Sequence, residues 1–130
     1  MGVKWIKDFP PIELRFSNVP EDEPRIATYK AKWDKEYQKK WGIKGLFAGR
    51  LAGDLDKRIR ETCKRAYRAL NMQFYARLDI RVDKDSHIYI LEVNANPCLA
   101  KKEDFAEGAI KSGIPYNKLI ERLVLKALKK

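Results

Sequence analysis

Four residues between positions 77 and 94 could hold a metal ion against phosphate groups. They are Arg77, Asp79, Glu92 and Asn94. Carboxylate and amide oxygens are hard ligands of the kind that Mg²⁺ takes, and the ion is usually completed by waters and substrate phosphates. An arginine beside such a site can donate hydrogen bonds to a phosphate oxygen. This chemistry requires the four side chains to share one rigid surface.

Two β-strands are predicted to supply that surface. Residues 75–82 and 87–97 alternate in polarity and are rich in β-branched and aromatic residues, and a polar break separates them. This pattern predicts an antiparallel hairpin. Because side chains alternate with period two along a strand, Arg77 and Asp79 fall on a charged face of the first strand. Its other face is apolar and comprises Phe74, Ala76, Leu78, Ile80 and Val82.

The register of the hairpin follows from the length of its loop. With a loop over residues 83–86, Val82 pairs with His87. Counting along the ladder then makes Asp79 a diagonal neighbour of Glu92, with Cβ atoms about 7 Å apart or less. We expect a single ion to reach both carboxylates and the asparagine amide that follows them.

The same register allows a purely structural alternative. Arg77 would face Glu92 across the strands, with Asp79 opposite Ile90. Oppositely charged residues at facing positions form ion pairs on solvated sheet faces, and an isolated hairpin carries such a pair more often than a metal ion. The residues alone leave both interpretations open.

A longer motif contains these residues. Ala76-Arg-Leu-Asp79, followed at a hairpin's distance by Glu92-Val-Asn-Ala-Asn-Pro97, resembles the carboxy-terminal signature of the ATP-grasp superfamily. The most similar members are the D-alanine–D-alanine ligase-like proteins, in which the pattern reads Ala-Arg-x-Asp and then Glu-x-Asn-x-x-Pro-Gly. The resemblance implies descent from an ATP- and Mg-dependent carboxylate–amine ligase that works through an acyl phosphate.

The resemblance also implies a role for each matched residue. Asp79, Glu92 and Asn94 would bind the magnesium ions that bridge the ATP phosphates. Arg77 would steady the γ-phosphoryl group during transfer, as a catalytic and cofactor-binding residue. ATP and Mg²⁺ are therefore the expected cofactors.

A second segment resembles the same family. Thr28-Tyr-Lys-Ala-Lys-Trp33 is similar to the Tyr-x-Ala-Lys-Tyr segment of a loop that folds over the nucleotide. The resemblance implies that Lys32 reaches the phosphates, as a catalytic and cofactor-binding residue, and that Trp33 is the aromatic residue beside it. On composition alone, a lysine here would be an ordinary solvent-facing side chain.

The chain departs from the family pattern after Pro97. The family usually continues with Gly, whose backbone N–H faces the developing oxyanion, and then with small hydroxylated residues that hold a substrate carboxylate. Here the sequence is Cys98-Leu-Ala-Lys-Lys-Glu103. Cys98 can offer its N–H only if its φ suits a residue with a Cβ. The absent serine leaves the substrate open.

The remaining elements predict an α+β fold in which helices pack on an antiparallel sheet. This arrangement resembles the C-terminal lobe of an ATP-grasp fold. We expect a single domain over residues 1–130. Within it we expect a flexible loop at about 17–53, which includes a surface loop over 17–32. The predicted elements besides the hairpin are strands at 3–6 and Ile12–Phe16, a helix from Asp54 ended by Asn71, a short helix over 103–111 stopped by Ser112 and Gly113, and a final helix from Tyr116.

Side chains predicted to point inward on these helices are Leu55, Ile59, Cys63, Ala66, Tyr67, Leu70, Phe105, Ala106, Ala109, Ile110, Leu119, Ile120, Leu123, Val124 and Leu128.

The charge balance indicates polyanionic partners. The chain carries 28 Lys and Arg against 18 Asp and Glu, a net charge of +10, which attracts nucleotide phosphates or nucleic acid. The cations are spread along the chain, without an Arg-rich arm. Nucleic acid is therefore the less favoured partner, and a non-catalytic basic α+β module that binds polyanions is the alternative function. Trp33, Tyr37, Trp41 and Phe47 are expected to form a satellite core rather than to stack bases.

The expected surroundings follow from further features. Neither an apolar run near 18 residues nor an export leader is visible, so a cytoplasmic protein without a membrane partner is expected. Cys63 and Cys98 are predicted to be reduced thiols.

The lysines and the adenine hinge that the family's other lobe supplies are not found. We therefore expect a fragment, a partner of a separate subunit, a homo-oligomer or a minimal domain, inactive alone.

Overall fold

The computed structural model describes residues 6–129. Its regular elements are β1 (Ile12–Phe16), α1 (Tyr29–Trp33), α2 (Lys35–Trp41), β2 (Ile43–Phe47), α3 (Leu55–Ala69), β3 (Arg77–Val82), β4 (Ile88–Asn94), α4 (Asp104–Lys111) and α5 (Tyr116–Leu128). The antiparallel pairs β1–β2 and β3–β4, together with the helices, confirm the predicted α+β class. The strand expected at 3–6 lies outside the described residues except for Ile6, which is not in a strand.

Two compact units are distinguished in the chain. The smaller unit is Pro11–Gly49, and the larger unit comprises the described residues of Met1–Pro10 and Arg50–Lys130. The smaller unit includes most of the segment expected to be a loop. That segment contains two helices and the strand β2.

The smaller unit is closed by β1 and β2. The pair runs antiparallel from Ile12 opposite Phe47 to Phe16 opposite Ile43, and β1 has its predicted bounds. Gly42 links α2 to β2 with a φ of 60°, and a Cβ built there would lie 3.1 Å from the Cβ of Ser17. A residue with a side chain would therefore be both strained and crowded at this turn.

The aromatic residues of the smaller unit separate into two groups. Tyr37, Trp41 and Phe47 are half-buried, and the rings of Tyr37 and Trp41 lie 6.2 Å apart, as the satellite-core interpretation expects. Trp33 is different, because 69% of it is exposed.

In the larger unit, the main core lies between α4 and α5. Its buried residues are Ala106, Ala109, Ile114 and Leu119, packed by Phe9, Phe105, Tyr116 and Leu123. The helix α4 ends at Ser112 and Gly113 as predicted, with a φ of 81° at Gly113. The inward orientation predicted for Ile110, Val124 and Leu128 is wrong, because all three are exposed. Their positions lie beside, rather than on, the face that the core covers.

The helix α3 follows its predicted pattern in most respects. Ile59 and Tyr67 are buried, while Leu70, predicted to point inward, is exposed beyond the last turn. Asp54 occupies the N-cap position but makes no side-chain cap; its carboxylate lies 3.3 Å from the guanidinium of Arg58. Asn71 ends the helix with a φ of 51°.

No helix among residues 6–129 is both long enough and apolar enough to cross a membrane.

Candidate functional site

The hairpin of β3 and β4 presents the four residues singled out above. Asp79 lies directly opposite Glu92, and Arg77 lies directly opposite Asn94. The predicted register, in which Arg77 faced Glu92 and Asp79 faced Ile90, is therefore wrong. Residues that face each other project from the same side of a sheet, so all four side chains share the charged face as predicted.

Part of the register error comes from the turn. The backbone N–H of Asp83 donates to the carbonyl of His87 at 3.1 Å, which leaves a loop of three residues, 84–86. Ser86, the last of them, has a φ of 63°. Three-residue hairpin loops of this kind end in a left-handed residue. Because Asp83 joins the ladder, Val82 pairs with Ile88 rather than with His87.

The other part comes from a β-bulge. The pairing steps from Ile80 opposite Ile90 to Asp79 opposite Glu92, so Leu91 is an extra residue on β4. The bulge moves the ladder by one further position and brings the two carboxylates directly opposite each other.

A signal for the bulge is present in the sequence. Along β4 the apolar positions Ile88 and Ile90 are followed by Val93, an odd step that breaks the alternation. With Leu91 as the extra residue, Val93 faces Leu78, and Ile90 faces Ile80. Regular alternation would have placed Glu92 on the apolar face, so the broken pattern itself indicates the bulge.

An arginine partly compensates the opposed carboxylates. Nε and Nη2 of Arg77 donate to Oδ1 and Oδ2 of Asp79 at 2.8 and 3.1 Å. The ion pair thus lies within one strand, between alternate residues, and not across the hairpin to Glu92 as the structural alternative required.

The electrostatic surroundings of Arg77 include a residue that the motif does not contain. The hydrogen bonds to Asp79 raise the pKa of Arg77, partial burial opposes that rise, and the charges of Asp104 and Glu92 add to it. Asp104 is the first residue of α4. Sequence reasoning missed it, because only the tertiary fold brings the start of this helix close to the hairpin.

The chain leaving β4 is held by side-chain hydrogen bonds. Oδ1 of Asn94 accepts from the N–H of Asn96 at 2.8 Å, and the hydroxyl of Tyr75 donates to Oδ1 of Asn96 at 3.0 Å. Pro97 is buried. Asn94 is therefore fixed in orientation while its amide oxygen keeps a second lone pair.

The backbone at the residue after this proline is compatible with a side chain. Cys98 is exposed and is not among the residues with positive φ, which in the described range are, apart from glycines, Asn71 and Ser86. Cys98 and Cys63 are both free thiols, as predicted.

The donor set of the charged face fits Mg²⁺. Asp79, Glu92 and Asn94 offer oxygen ligands on one rigid surface, which is the chemistry that this ion prefers. Each carboxylate oxygen of Asp79 accepts one hydrogen bond from Arg77, and further lone pairs remain.

A separate group of possible ligands lies in the hairpin turn. Asp83, Asp85 and His87 place ligand atoms within 4.8 Å of one another. The carboxylate of Asp83 accepts from the N–H groups of Asp85 and His87 at 2.9 and 2.8 Å. These bonds explain the cluster as a hydrogen-bonded turn.

Lys32 and Trp33 lie elsewhere in the chain. Both belong to α1 of the smaller unit and are exposed, whereas the hairpin belongs to the larger unit. The structure thus groups Arg77, Asp79, Glu92 and Asn94 on one face and presents Lys32 and Trp33 on a separate helix.

This α+β fold, with an arginine and three oxygen donors on the charged face of a hairpin, is that of the carboxy-terminal part of a D-alanine–D-alanine ligase-like ATP-grasp protein. The family model described as "D-ala D-ala ligase C-terminus" matches residues 15–125. The chain belongs to this family, and the resemblance seen in the sequence is confirmed.

Individual relatives agree with this assignment. The chain is 36% identical over 75 residues to a D-alanine–D-alanine ligase of Lactococcus lactis subsp. cremoris (strain MG1363), covering 58% of this chain and 22% of that protein. It is 26% identical over 101 residues to the bifunctional enzyme MurC/Ddl of Chlamydia pneumoniae, covering 73% of this chain and 12% of that protein.

Solved structures show the same fold. A D-alanine–D-alanine ligase from Bacillus anthracis is similar with a TM-score of 0.70 and 27% identity, covering 93% of this chain and 36% of that one. A structure of the ligase from the same organism complexed with ATP gives a TM-score of 0.68 at 24% identity, covering 93% of this chain and 34% of that one. The chain thus spans about a third of these ligases.

Proposed function

We propose that this chain binds the phosphates of ATP through Mg²⁺, as the later part of the ATP-binding region of an ATP-dependent carboxylate–amine ligase. The observation that carries the proposal is the placement of Asp79, Glu92 and Asn94 on one face of the hairpin, beside Arg77. The ATP complex of the Bacillus anthracis ligase supports the choice of nucleotide.

The four site residues of the hairpin have two roles in this proposal. Asp79, Glu92 and Asn94 would hold the ion, which when bound neutralises charge on the phosphate oxygens. Arg77 uses two N–H donors on Asp79. A guanidinium has five such donors, so three remain for the γ-phosphoryl oxygens. The hydrogen bonds to Asp79 hold the guanidinium in a fixed orientation toward them.

Lys32 and Trp33 are the other two residues with a proposed role. Lys32 would donate to the phosphates, and Trp33 would lie beside it. Both side chains are exposed on α1, where a ligand can reach them.

Metal dependence tests the proposal. We expect the chain to bind Mg-ATP, and to bind ATP at least about tenfold more weakly when EDTA removes the metal. Glu92→Gln should weaken Mg-ATP binding without weakening the binding of metal-free ATP. Glu61→Gln is a matched control, since Glu61 is exposed on α3. Equal affinities with and without the metal would instead identify a basic module that binds polyanions through its net charge of +10.

Catalytic turnover is expected to require more than these 130 residues. The chain covers 34% of the Bacillus anthracis ligase complexed with ATP, and phosphoryl transfer depends on positioning from all sides of the phosphates. We expect no appreciable ligase turnover by this polypeptide alone. Phosphate release that depends on an amino acid and clearly exceeds that of a Glu92→Ala control would contradict the expectation.

A further inference from the structure

The helix that carries Lys32 is too short to be stable by itself. α1 has five residues, Tyr29–Trp33, and isolated helices shorter than about 12–15 residues are marginal in water. At its start, the hydroxyl of Thr28 accepts from the N–H of Ala31 at 3.2 Å. At its end, the N–H of Asp34 donates to the carbonyl of Lys30 at 2.9 Å. The next two carbonyls of α1, those of Ala31 and Lys32, need partners from elsewhere.

One side chain supplies both partners. Nε2 of Gln38 donates to the carbonyl of Ala31 at 2.8 Å and to the carbonyl of Lys32 at 3.0 Å. Ala31 itself is 2% exposed. Gln38 thus binds two consecutive carbonyls at the end of α1, those of the buried Ala31 and of Lys32.

Gln38 is itself held by the following helix. It lies in α2, whose first turn is capped by Asp34: the carboxylate of Asp34 accepts from the N–H of Tyr37 at 3.0 Å. The backbone N–H of Gln38 donates to the carbonyl of Asp34 at 2.9 Å. The amide of Gln38 is therefore presented to α1 from a formed helix.

We propose that Gln38 is the positioning residue for Lys32. By binding the carbonyl of Lys32, Gln38 keeps this residue in a helical turn before the ligand arrives. The ordering of α1 then no longer opposes binding, because the loss of backbone freedom has occurred on folding. The inference rests on the proposed function in one respect, that Lys32 contacts nucleotide phosphates.

Gln38→Met tests the proposal. Methionine has a similar length and no charge but cannot donate the two hydrogen bonds. We expect the Kd of the 130-residue chain for Mg-ATP to rise about threefold to tenfold, because α1 must then be ordered on binding. Gln73→Met is the matched control. Gln73, the other glutamine, donates to Asn71 in an exposed turn, and its replacement should leave the Kd unchanged.

A double-mutant cycle with Lys32→Ala separates positioning from a general structural effect. Gln38→Met should add nothing further to the Kd in the Lys32→Ala background. An equal increase in both backgrounds would overturn the inference, and so would an unchanged Kd for Gln38→Met alone. The NMR signature should agree: the side-chain signals of Lys32 should shift on addition of Mg-ATP in the native chain and shift less in Gln38→Met.

Failure of the proposed function gives a different result. If Lys32→Ala leaves the Kd unchanged, or if the native chain does not bind Mg-ATP, the phosphate contact of Lys32 is wrong and the positioning role falls with it. Amide hydrogen exchange then still decides whether Gln38 orders the helix. Exchange should be faster in Gln38→Met at residues 31–34, and unaltered exchange would show that the two hydrogen bonds do not hold α1.

Discussion

At the level of single residues, Arg77 determines how two opposed carboxylates can share one face. Like charges directly opposite each other destabilise an antiparallel pair, and Asp79 faces Glu92. The guanidinium of Arg77 binds both oxygens of Asp79 and so reduces the repulsion. Repulsion between the carboxylates alone would make Asp79→Asn stabilising, but the ion pair of Asp79 with Arg77 gives the opposite expectation.

We therefore expect Asp79→Asn to lower stability slightly without metal and to weaken the response to Mg²⁺. The loss should be about 0.5–1 kcal/mol, since a third of each side chain of the pair is exposed and water screens the interaction. A neutral amide is also a poorer ligand for a hard cation. Thermal melts with and without Mg²⁺ measure both effects.

The control for this substitution is Asp22→Asn in an exposed loop, which should leave the Mg²⁺-induced change in Tm intact. If Asp79→Asn also retained the full metal shift, the assignment of Asp79 as a ligand would fail.

A second carboxylate has a structural role in the larger unit. Asp8 binds Arg60, and its other oxygen lies 2.5 Å from Nζ of Lys64. Burial raises the pKa of Asp8, but the hydrogen bonds and charges of Lys64 and Arg60 outweigh it, so that the pKa lies below its ordinary value. Two cations of α3 thus hold the segment that precedes β1.

The lowered pKa of Asp8 predicts how stability depends on pH. A group with a depressed pKa in the folded state stabilises the protein above its unfolded pKa, about 3.9 for Asp, and this contribution is lost as the pH falls through the folded value. Asp8→Asn should cost about 1–3 kcal/mol near neutral pH. The difference from the native chain should shrink as the solution is acidified below about pH 4.

Urea unfolding across this pH range measures the effect, with Asp22→Asn in an exposed loop as the control. A deficit for Asp8→Asn that stayed constant down to pH 2 would show that the ion pairs do not depress this pKa.

At the level of elements, the bulge at Leu91 sets the site. Leu91 is 66% exposed and has no partner on β3. It allows the apolar residues of β4 to face the apolar side of β3 while Glu92 and Asn94 face the charged side. The bulge therefore allows the hairpin to have one apolar face and one charged face.

Removal of the bulge leads to a prediction about register. Deleting Leu91 leaves every observed β3–β4 pair in regular order, so we expect the chain to fold with a change in unfolding free energy below about 1 kcal/mol. Deleting Val93 instead moves Asn94 to the apolar position opposite Leu78, which should cost about 2 kcal/mol or more. Urea unfolding of both deletion variants compares them, and similar losses would contradict the observed register.

At the level of the whole molecule, the net charge of +10 influences any anionic ligand. Exposed cations act over a distance that salt shortens, from about 10 Å at 0.1 M to about 3 Å at 1 M. We expect Mg-ATP binding to be weak and its Kd to rise about tenfold between about 0.05 M and about 0.5 M NaCl. Titrations at several salt concentrations test this, with uncharged adenosine as a comparison. A Kd that does not respond to salt would show that close contacts alone provide the affinity.

The sequence by itself determined the elements and the residues of the charged face. β1, α3, α4 and α5 begin at or next to their predicted positions, because local periodicity and end signals such as Gly113 and Asn71 act within a few residues. The sharing of one face by Arg77, Asp79, Glu92 and Asn94 was also expected from the sequence, but through a register whose two one-residue errors, at the turn and at the bulge, cancel for the choice of face.

Only the tertiary structure decided how those residues meet. The broken apolar pattern of β4 indicates a bulge, but only the paired strands show that Leu91 is the extra residue and that Asp83 joins the ladder. Each of these two features moves the register by one residue. Local patterns also do not show that Arg77 pairs with Asp79 or that Asp104 lies near Arg77. Nor do they show that Gln38 binds the end of α1. These contacts depend on packing between segments, which no periodicity within a single segment encodes.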